Sequence, residues 1–215
     1  MINVLLVDDH DLVRAGIKRI LTDIGDINIL NEAATGEEAV RLVRKQKPDI
    51  VIMDVSMPGI GGLEATRKIK TISSRIGVIV VTIYGNDPYP YRLLEAGASG
   101  YLTKGCSAAE MVAAIRAVHA GGRYLDAEIA NTLALSAVSG STRSPFDELT
   151  MRETQVMVMV TRGQRNCDIA RDLCLSPKTV STYRYRLYDK LGVSNDVELT
   201  RLALHHGILE QNPLI

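Results

Sequence analysis

Short apolar runs alternate with amphipathic stretches through the first half of this chain, and that alternation limits the fold more than any other feature. The runs cover residues 2–7, 27–30, 50–53 and 78–81, with a shorter one at 101–103. Each reads as a buried strand. Between them lie helical patterns at 12–21, 36–46, up to 72, 89–96 and 108–120. Continuously apolar strands joined by crossover helices require a parallel sheet covered on both faces. The expectation is an α/β, doubly wound (βα)5 domain over residues 1–122.

Residues 123–146 are expected to hold a short helix from 126 to 135 and a linker rich in Ser, Gly and Thr at 136–145. From Thr150 onward the pattern is all helical, so residues 147–215 are expected to form a second, all-α domain of four helices. With Trp absent and Phe present once, the cores must be aliphatic. The three cysteines have no paired spacing, so a disulfide framework or a zinc site is not expected, and a reducing cytoplasm fits. The opening apolar run meets Asp8 and Asp9 too soon for a signal peptide, and no apolar run approaches the ~20 residues that span a bilayer. A soluble, cytoplasmic protein is expected.

In such sheets chemistry collects at the carboxyl ends of the strands. Asp8 and Asp9 follow the first strand, Asp54 the third, Thr82 closes the fourth, and Lys104 follows the fifth. Carboxylates brought together at one edge repel and raise each other's pKa. A hard divalent cation relieves the repulsion, and an oxygen-only donor set with open positions suits Mg²⁺. A nucleophilic carboxylate, a metal, a hydroxyl and an ammonium are what phosphoryl transfer needs. Any one Asp at a strand end is more often a helix cap; five suitable residues at successive strand ends are not explained that way.

The stretches VLLVDDH (4–10), VIMDVSMPGIGG (51–62), VIVVT (78–82) and GASGYLTKG (97–105) resemble the receiver domain of two-component response regulators. That resemblance implies Asp54 as phosphoacceptor, with Mg²⁺ held by Asp9, Asp54 and the main-chain carbonyl of Ser56, and Asp8 assisting through water. It implies that Thr82 and Lys104 contact the phosphoryl group and that Tyr101 is a switch aromatic, turning inward as Thr82 moves. It departs from many receivers in having Gly105 after Lys104. Ser56 and Tyr84 lie two residues after Asp54 and Thr82, on the expected path of the attacking water, and the bulk of Tyr84 is expected to slow hydrolysis.

In the helical half, Thr150 and Glu153 have capping-box spacing before the apolar Val156, Met157 and Val160. Ser176-Pro177 is a strong helix-start signal, and two helices flanking a tight turn suggest a helix-turn-helix. On a helical wheel Val180, Leu187 and Leu191 cluster, with Tyr183 nearby; Lys178, Thr182, Tyr185 and Asp189 lie opposite, flanked by Ser181 and Arg186. From Arg162 to Lys190 there are seven Lys and Arg against three Asp, in a chain whose Lys+Arg and Asp+Glu counts are both 25. A polar, locally basic face of this kind suits phosphates and base edges.

LTMRETQV (149–156) and DIARDLCLSPKTVSTYRYRLYDKLGV (168–193) resemble the LuxR-type DNA-binding domain of NarL/FixJ regulators. That resemblance implies a recognition helix at 177–191, with Lys178, Ser181, Thr182 and Tyr185 facing bases and Thr179, Tyr183, Arg184 and Arg186 at phosphates. Arg184 lies about 40° from Val180 on the wheel, so it is expected to snorkel from the core side to a phosphate. MINVLLVDDHDLVRAGIKRIL (1–21), SMPGIGGLEATRKI (56–69) and LSPKTVSTYRYRLYDKL (175–191) are similar to the GacA/UvrY subgroup. That likeness implies a membrane sensor histidine kinase as phosphodonor, double-stranded promoter DNA of small regulatory RNA genes as target, and a homodimer when phosphorylated.

Two other readings fit less well. A haloacid-dehalogenase-like phosphatase needs a carboxylate two residues past the nucleophile, where this chain has Ser56. A dinucleotide site needs G-x-G-x-x-G after the first strand, and Gly59-Ile60-Gly61-Gly62 follows the third. The chain is therefore expected not to be an enzyme beyond accepting and slowly releasing its own phosphoryl group.

Overall fold

The structure is a computed structural model and describes residues 1–55, 57–82, 89–127, 129–131, 145–173 and 175–206. The chain divides into two compact units, one built on a sheet and one on helices. Among the described residues no helix is long and apolar enough to cross a membrane. Cys106 and Cys167 are free thiols, and Cys174 lies outside the described residues.

In the first unit the strands are β1 (Ile2–Val7), β2 (Ile27–Ala33), β3 (Ile50–Asp54), β4 (Gly77–Thr82), β5 (Gly100–Thr103) and β6 (Tyr124–Leu125), in the order β2-β1-β3-β4-β5-β6 and all parallel. Helices α1 (Asp11–Thr22), α2 (Gly36–Gln46), α3 (Gly61–Ile72), α4 (Tyr89–Glu95) and α5 (Ala108–His119) connect them. Every residue of β3 and β4 is buried, as expected of central strands covered on both faces. On one face Val4, Leu6, Ile50, Ile52, Ile79 and Val81 pack with Ile17 and Leu21 of α1 and Met111, Ile115 and Val118 of α5. Truncating one such side chain, as in Ile52→Ala, costs about 2–5 kcal/mol.

The sheet differs from the sequence expectation in two places. Strand β2 runs three residues past Leu30, through Asn31 and Glu32. It is an edge strand with one face toward solvent, so polar residues are tolerated there. A sixth strand, Tyr124–Leu125, pairs in parallel with β5 where only a connecting segment was expected. Of the expected short helix, residues 127 and 129–131 are helical, with the Ala130 N–H donating to the Asp126 carbonyl. Its remainder and most of the expected linker lie outside the described residues.

The second unit holds α6 (Met151–Thr161), α7 (Asn166–Asp172), α8 (Pro177–Leu191) and α9 (Asp196–His205), preceded by a 3₁₀ turn at Pro145–Glu148. Phe146, Val156, Met157, Ile169, Val180, Leu187, Leu199 and Ala203 form its core. The capping box of α6 is present: Thr150 Oγ1 accepts from the Glu153 N–H and Glu153 Oε2 accepts from the Thr150 N–H. Helix α8 starts on the Ser176 hydroxyl, which accepts from the Thr179 N–H, with Pro177 at the first helical position. It stops at Gly192, whose φ of 65° is a left-handed conformation that glycine adopts without a Cβ clash.

Candidate phosphoacceptor site and nucleic-acid interface

The order of the sheet reverses at β1, which sits between β2 and β3, so the crevice opens at the carboxyl ends of β1 and β3. Register carries the functional residues to one edge. Val7 pairs with Met53, Asp54 with Val81, and Thr82 with Thr103. Asp8 and Lys104 are the next residues after β1 and β5. The Lys104 N–H donates to the Thr82 carbonyl at 2.6 Å, joining the residue after β5 to the end of β4.

Asp8, Asp54 and Thr82 are buried. The Lys104 ammonium lies 2.8 Å from Asp8 Oδ2 and 3.3 Å from Asp54 Oδ2. The second contact is an ion pair whose geometry is not that of a hydrogen bond, and Asp54 Oδ2 is a buried atom that accepts none. The Asp54 carboxyl is pushed up to about 6: burial raises it most, Lys104 pulls it down, and Asp8 and Asp9 add to the rise. Burial alone would lower the Lys104 ammonium, but Asp54 and Asp8 outweigh it and hold it above its usual range. Tyr101 is fully buried on β5. Ser56 and Tyr84 lie outside the described residues.

A divalent cation fits this donor set. One oxygen each of Asp8, Asp9 and Asp54, with a His10 nitrogen, lie within 4.8 Å of one another. All three carboxylates lie at or just past strand ends, and the buried Asp54 Oδ2, though 3.3 Å from the Lys104 ammonium, accepts no hydrogen bond. That is a site where a hard cation lowers the energy of ionised carboxylates.

Two supporting residues, Arg14 and Glu37, were not singled out from the sequence, and a third, Gly62, was read only as part of a turn. Arg14 on α1 donates from Nη1 to the Asp8 carbonyl at 2.6 Å and from Nε to Glu32 Oε2 at 3.4 Å, tying the acidic loop to β2. Glu37 Oε1 accepts from the Ile60 N–H at 3.0 Å, fixing the loop after β3. Gly62 donates its N–H to the Val55 carbonyl at 3.1 Å, directly behind Asp54. Arg14 and Glu37 carry no local sequence signal for these roles, since their partners are distant in the chain. The run Pro58-Gly59-Ile60-Gly61-Gly62, with three glycines, marks a turn in the sequence but does not show that Gly62 packs against the backbone behind Asp54.

On α8 the four residues expected at bases, Lys178, Ser181, Thr182 and Tyr185, are all exposed, as is Arg186. Tyr185 is 76% exposed. Thr179 is half-buried, and Tyr183 is half-buried against the core. Arg184 does not snorkel outward. Its Nη1 donates to Asn166 Oδ1 at 2.7 Å, and its Nη2 donates to the Tyr188 hydroxyl and pairs with Asp196. Its position near Val180 on the wheel leaves it over the seam between helices, where acceptors from α7 and α9 are closer than solvent. Asn166 also donates from Nδ2 to Ser181 Oγ at 3.0 Å, so one residue of α7 touches both Arg184 and the exposed face of α8.

Comparison with known proteins bears on both units. Residues 4–116 match the response regulator receiver domain, and residues 147–203 match the luxR family of bacterial regulatory proteins. The chain is 51% identical to the response regulator UvrY of Escherichia coli (strain K12), over 100% of this chain and 99% of that protein. It is 53% identical to the response regulator GacA of Pseudomonas viridiflava, over 98% of this chain and 99% of that one. Among solved structures, a complex of the two-component response regulator RcsB with DNA is 26% identical, with a TM-score of 0.58 over 94% of this chain and 98% of that chain.

Proposed function

The chain belongs to the response regulators that join a receiver domain to a LuxR-type DNA-binding domain, and from that premise we propose that Asp54 is the phosphoacceptor through which a sensor histidine kinase controls it. Phosphorylation-dependent regulation of transcription is the function of the chain. The finer assignments are our reading.

The observation that carries the reading is the isolation of Asp54. It is a buried carboxylate at a strand end, and Lys104, the cation paired with it among the described residues, is shared with Asp8. As the Asp54 carboxylate forms its bond to phosphorus, the bond from phosphorus to the donor's leaving group breaks. The new group brings about −1.5 to −2 charges. Lys104, already within reach of both carboxylates, neutralises part of that charge, and the Thr82 hydroxyl moves to donate to it. Tyr101, on the strand next to Thr82, follows that movement and alters the outer face of the domain. Asp9, Asp54 and the Ser56 carbonyl would hold Mg²⁺, with Asp8 assisting. When bound, the cation supplies charge neutralisation for the incoming phosphoryl oxygens.

On α8, Lys178, Ser181, Thr182 and Tyr185 are assigned to base edges, and Thr179, Tyr183 and Arg186 to phosphates. Arg184 is assigned instead to positioning α8. The phosphorylated protein acts in the cytoplasm as a homodimer whose half-sites lie about one DNA turn apart. Likeness to UvrY and GacA makes promoters of small regulatory RNA genes the proposed targets. The chain turns over no other substrate.

The test is binding to such a promoter fragment with and without acetyl phosphate and Mg²⁺, for wild type and Asp54→Asn. Phosphodonor tightens binding of the wild type only. Equal binding by the two proteins would remove Asp54 from the control of DNA affinity.

A further inference from the structure

The mouth of the acidic cluster carries a nitrogen donor that an oxygen-only metal site does not need. His10 is the residue before α1, and its backbone N–H donates to Asp8 Oδ1 at 2.8 Å. Its side chain does not cap the helix and is 59% exposed. Nevertheless its Nδ1 points to the cluster, 3.0 Å from Asp9 Oδ1 and 3.3 Å from Asp8 Oδ1. The nearer approach is not a hydrogen bond, since Asp9 Oδ1 is a buried atom without a hydrogen-bond partner, as is Asp54 Oδ2.

These four donors have the spacing of one coordination shell. Bonds of about 2.1 Å in an octahedron place neighbouring ligands about 3.0 Å apart and opposite ones about 4.2 Å apart. The His10 nitrogen and the three carboxylate oxygens lie within 4.8 Å of one another, so a contraction of about 0.6 Å at most brings them to that size. Three oxygens alone serve Mg²⁺, which takes hard ligands and keeps several waters. An imidazole nitrogen adds little for Mg²⁺ and more for Mn²⁺ and the later first-row ions, in the order in which those ions favour nitrogen.

We propose that His10 becomes a nitrogen ligand when this cluster holds Mn²⁺ or a later first-row divalent cation, and so biases the site toward those ions relative to Mg²⁺. The inference rests on Asp8, Asp9 and Asp54 forming the metal site. Because the imidazole sits at the exposed side of the cluster, it is able to exchange with water without disturbing the buried Asp54. The bound ion then differs between Mg²⁺ and Mn²⁺ in one ligand, not in its position.

The full chain is titrated with Mn²⁺ alone and with Mg²⁺ alone at pH 8, by calorimetry, for wild type, His10→Gln and Asp9→Asn. Bound Mn²⁺ is also examined by electron spin echo for coupling to ¹⁴N. Expected are a ¹⁴N coupling in the wild type that disappears in His10→Gln, and a Mn²⁺ affinity that falls about tenfold in that variant while Mg²⁺ affinity changes less than about twofold. Absence of the ¹⁴N coupling in the wild type overturns the proposal, as does a His10→Gln variant in which both affinities shift together. Asp9→Asn separates the two levels: if it binds both ions as the wild type does, the acidic site itself has been misassigned.

Discussion

A Cβ placed on Gly62 would fall 2.1 Å from the carbonyl oxygen of Asp54 and 2.9 Å from Cα of Val55. Both obstacles are backbone, so no side-chain rotation relieves them. Gly62→Ala must push the first turn of α3 away from the end of β3, and overpacking of this kind costs about 1–3 kcal/mol. It should lower the thermal midpoint of the first unit and slow phosphorylation by acetyl phosphate, because the loop carrying Asp54 moves. Gly16 provides the control: it lies inside α1, and a Cβ there meets nothing within 4 Å. Gly16→Ala should raise stability by about 0.5–1 kcal/mol and leave phosphorylation unchanged. Equal behaviour of the two variants would show that the contact behind Asp54 does not matter.

The pH dependence of stability should carry the signature of Asp54. Its carboxyl titrates at about 3.9 in an unfolded chain and is pushed up to about 6 here, first by burial. A raised carboxyl favours the folded state while protonated. That contribution is complete below the unfolded value and is lost as pH rises through about 6. At pH 7.5 the charged Asp54 therefore costs roughly 2–3 kcal/mol. Asp54→Asn should raise the thermal midpoint by roughly 5 °C or more at pH 7.5 and by little at pH 4.5. Saturating Mg²⁺ should stabilise the wild type far more than the variant. An Asp54→Asn protein no more stable than wild type at pH 7.5 would contradict the cost assigned to burial.

The parts of this molecule legible in its sequence are those set by local pattern. The buried run Ile50–Asp54 reads as a strand because both faces of the sheet are covered, leaving no polar alternation to confuse it. Asp8, Asp54, Thr82 and Lys104 could be placed at one edge because each ends a strand of a parallel sheet, and parallel strands end on the same side. What escaped depends on partners far along the chain. Tyr124–Leu125 has no pattern of its own and is a strand only by pairing with Gly100 and Tyr101. Arg184 could be placed on a wheel, but a wheel does not contain Asn166 or Asp196, which lie 18 and 12 residues away on other helices. The nearness of His10 to Asp8 and Asp9 was open to view in three consecutive ligand-type residues. Only the turn before α1 shows that its ring folds back toward them.

In the second unit Glu153 is buried beside Lys190, whose Nζ donates to its Oε2 at 2.7 Å. Burial pushes the Glu153 carboxyl up, but bonds from Lys190 and Thr150 outweigh it and hold it below its usual range. A depressed carboxyl stabilises the fold above the unfolded pKa, and that stability is lost as pH falls through the folded one. Lys190→Met leaves the charge with the cap alone. Lys190 is a third exposed, so the expected loss at pH 7 is about 1–3 kcal/mol, below that of a fully buried pair. The difference from wild type should shrink as pH falls below the ordinary glutamate range, once Glu153 is protonated in both proteins. A difference that does not change with pH would assign the effect to packing of the lysine stem.

Arg184 and Lys178 should fail in different ways. A side chain that contacts DNA phosphate contributes about one to the slope of log affinity against log salt, and its loss weakens binding at all sequences without unfolding the protein. Arg186 is exposed on α8 and should behave so, Arg186→Ala lowering the salt slope by about one. Lys178 is also exposed but is assigned to a base edge, so Lys178→Ala should relax sequence preference while barely moving the thermal midpoint. Arg184 is committed to Asn166, Tyr188 and Asp196, which join α7, α8 and α9. Arg184→Met should therefore lower the thermal midpoint of the second unit and leave the salt slope of the folded protein unchanged. Asp196→Asn should do the same, and the double variant should lose less than the sum, because both changes break one network. If Arg184→Met instead lowers the salt slope by one at an unchanged midpoint, the guanidinium leaves its partners for phosphate on binding, and α8 is positioned by Val180 and Leu187 alone.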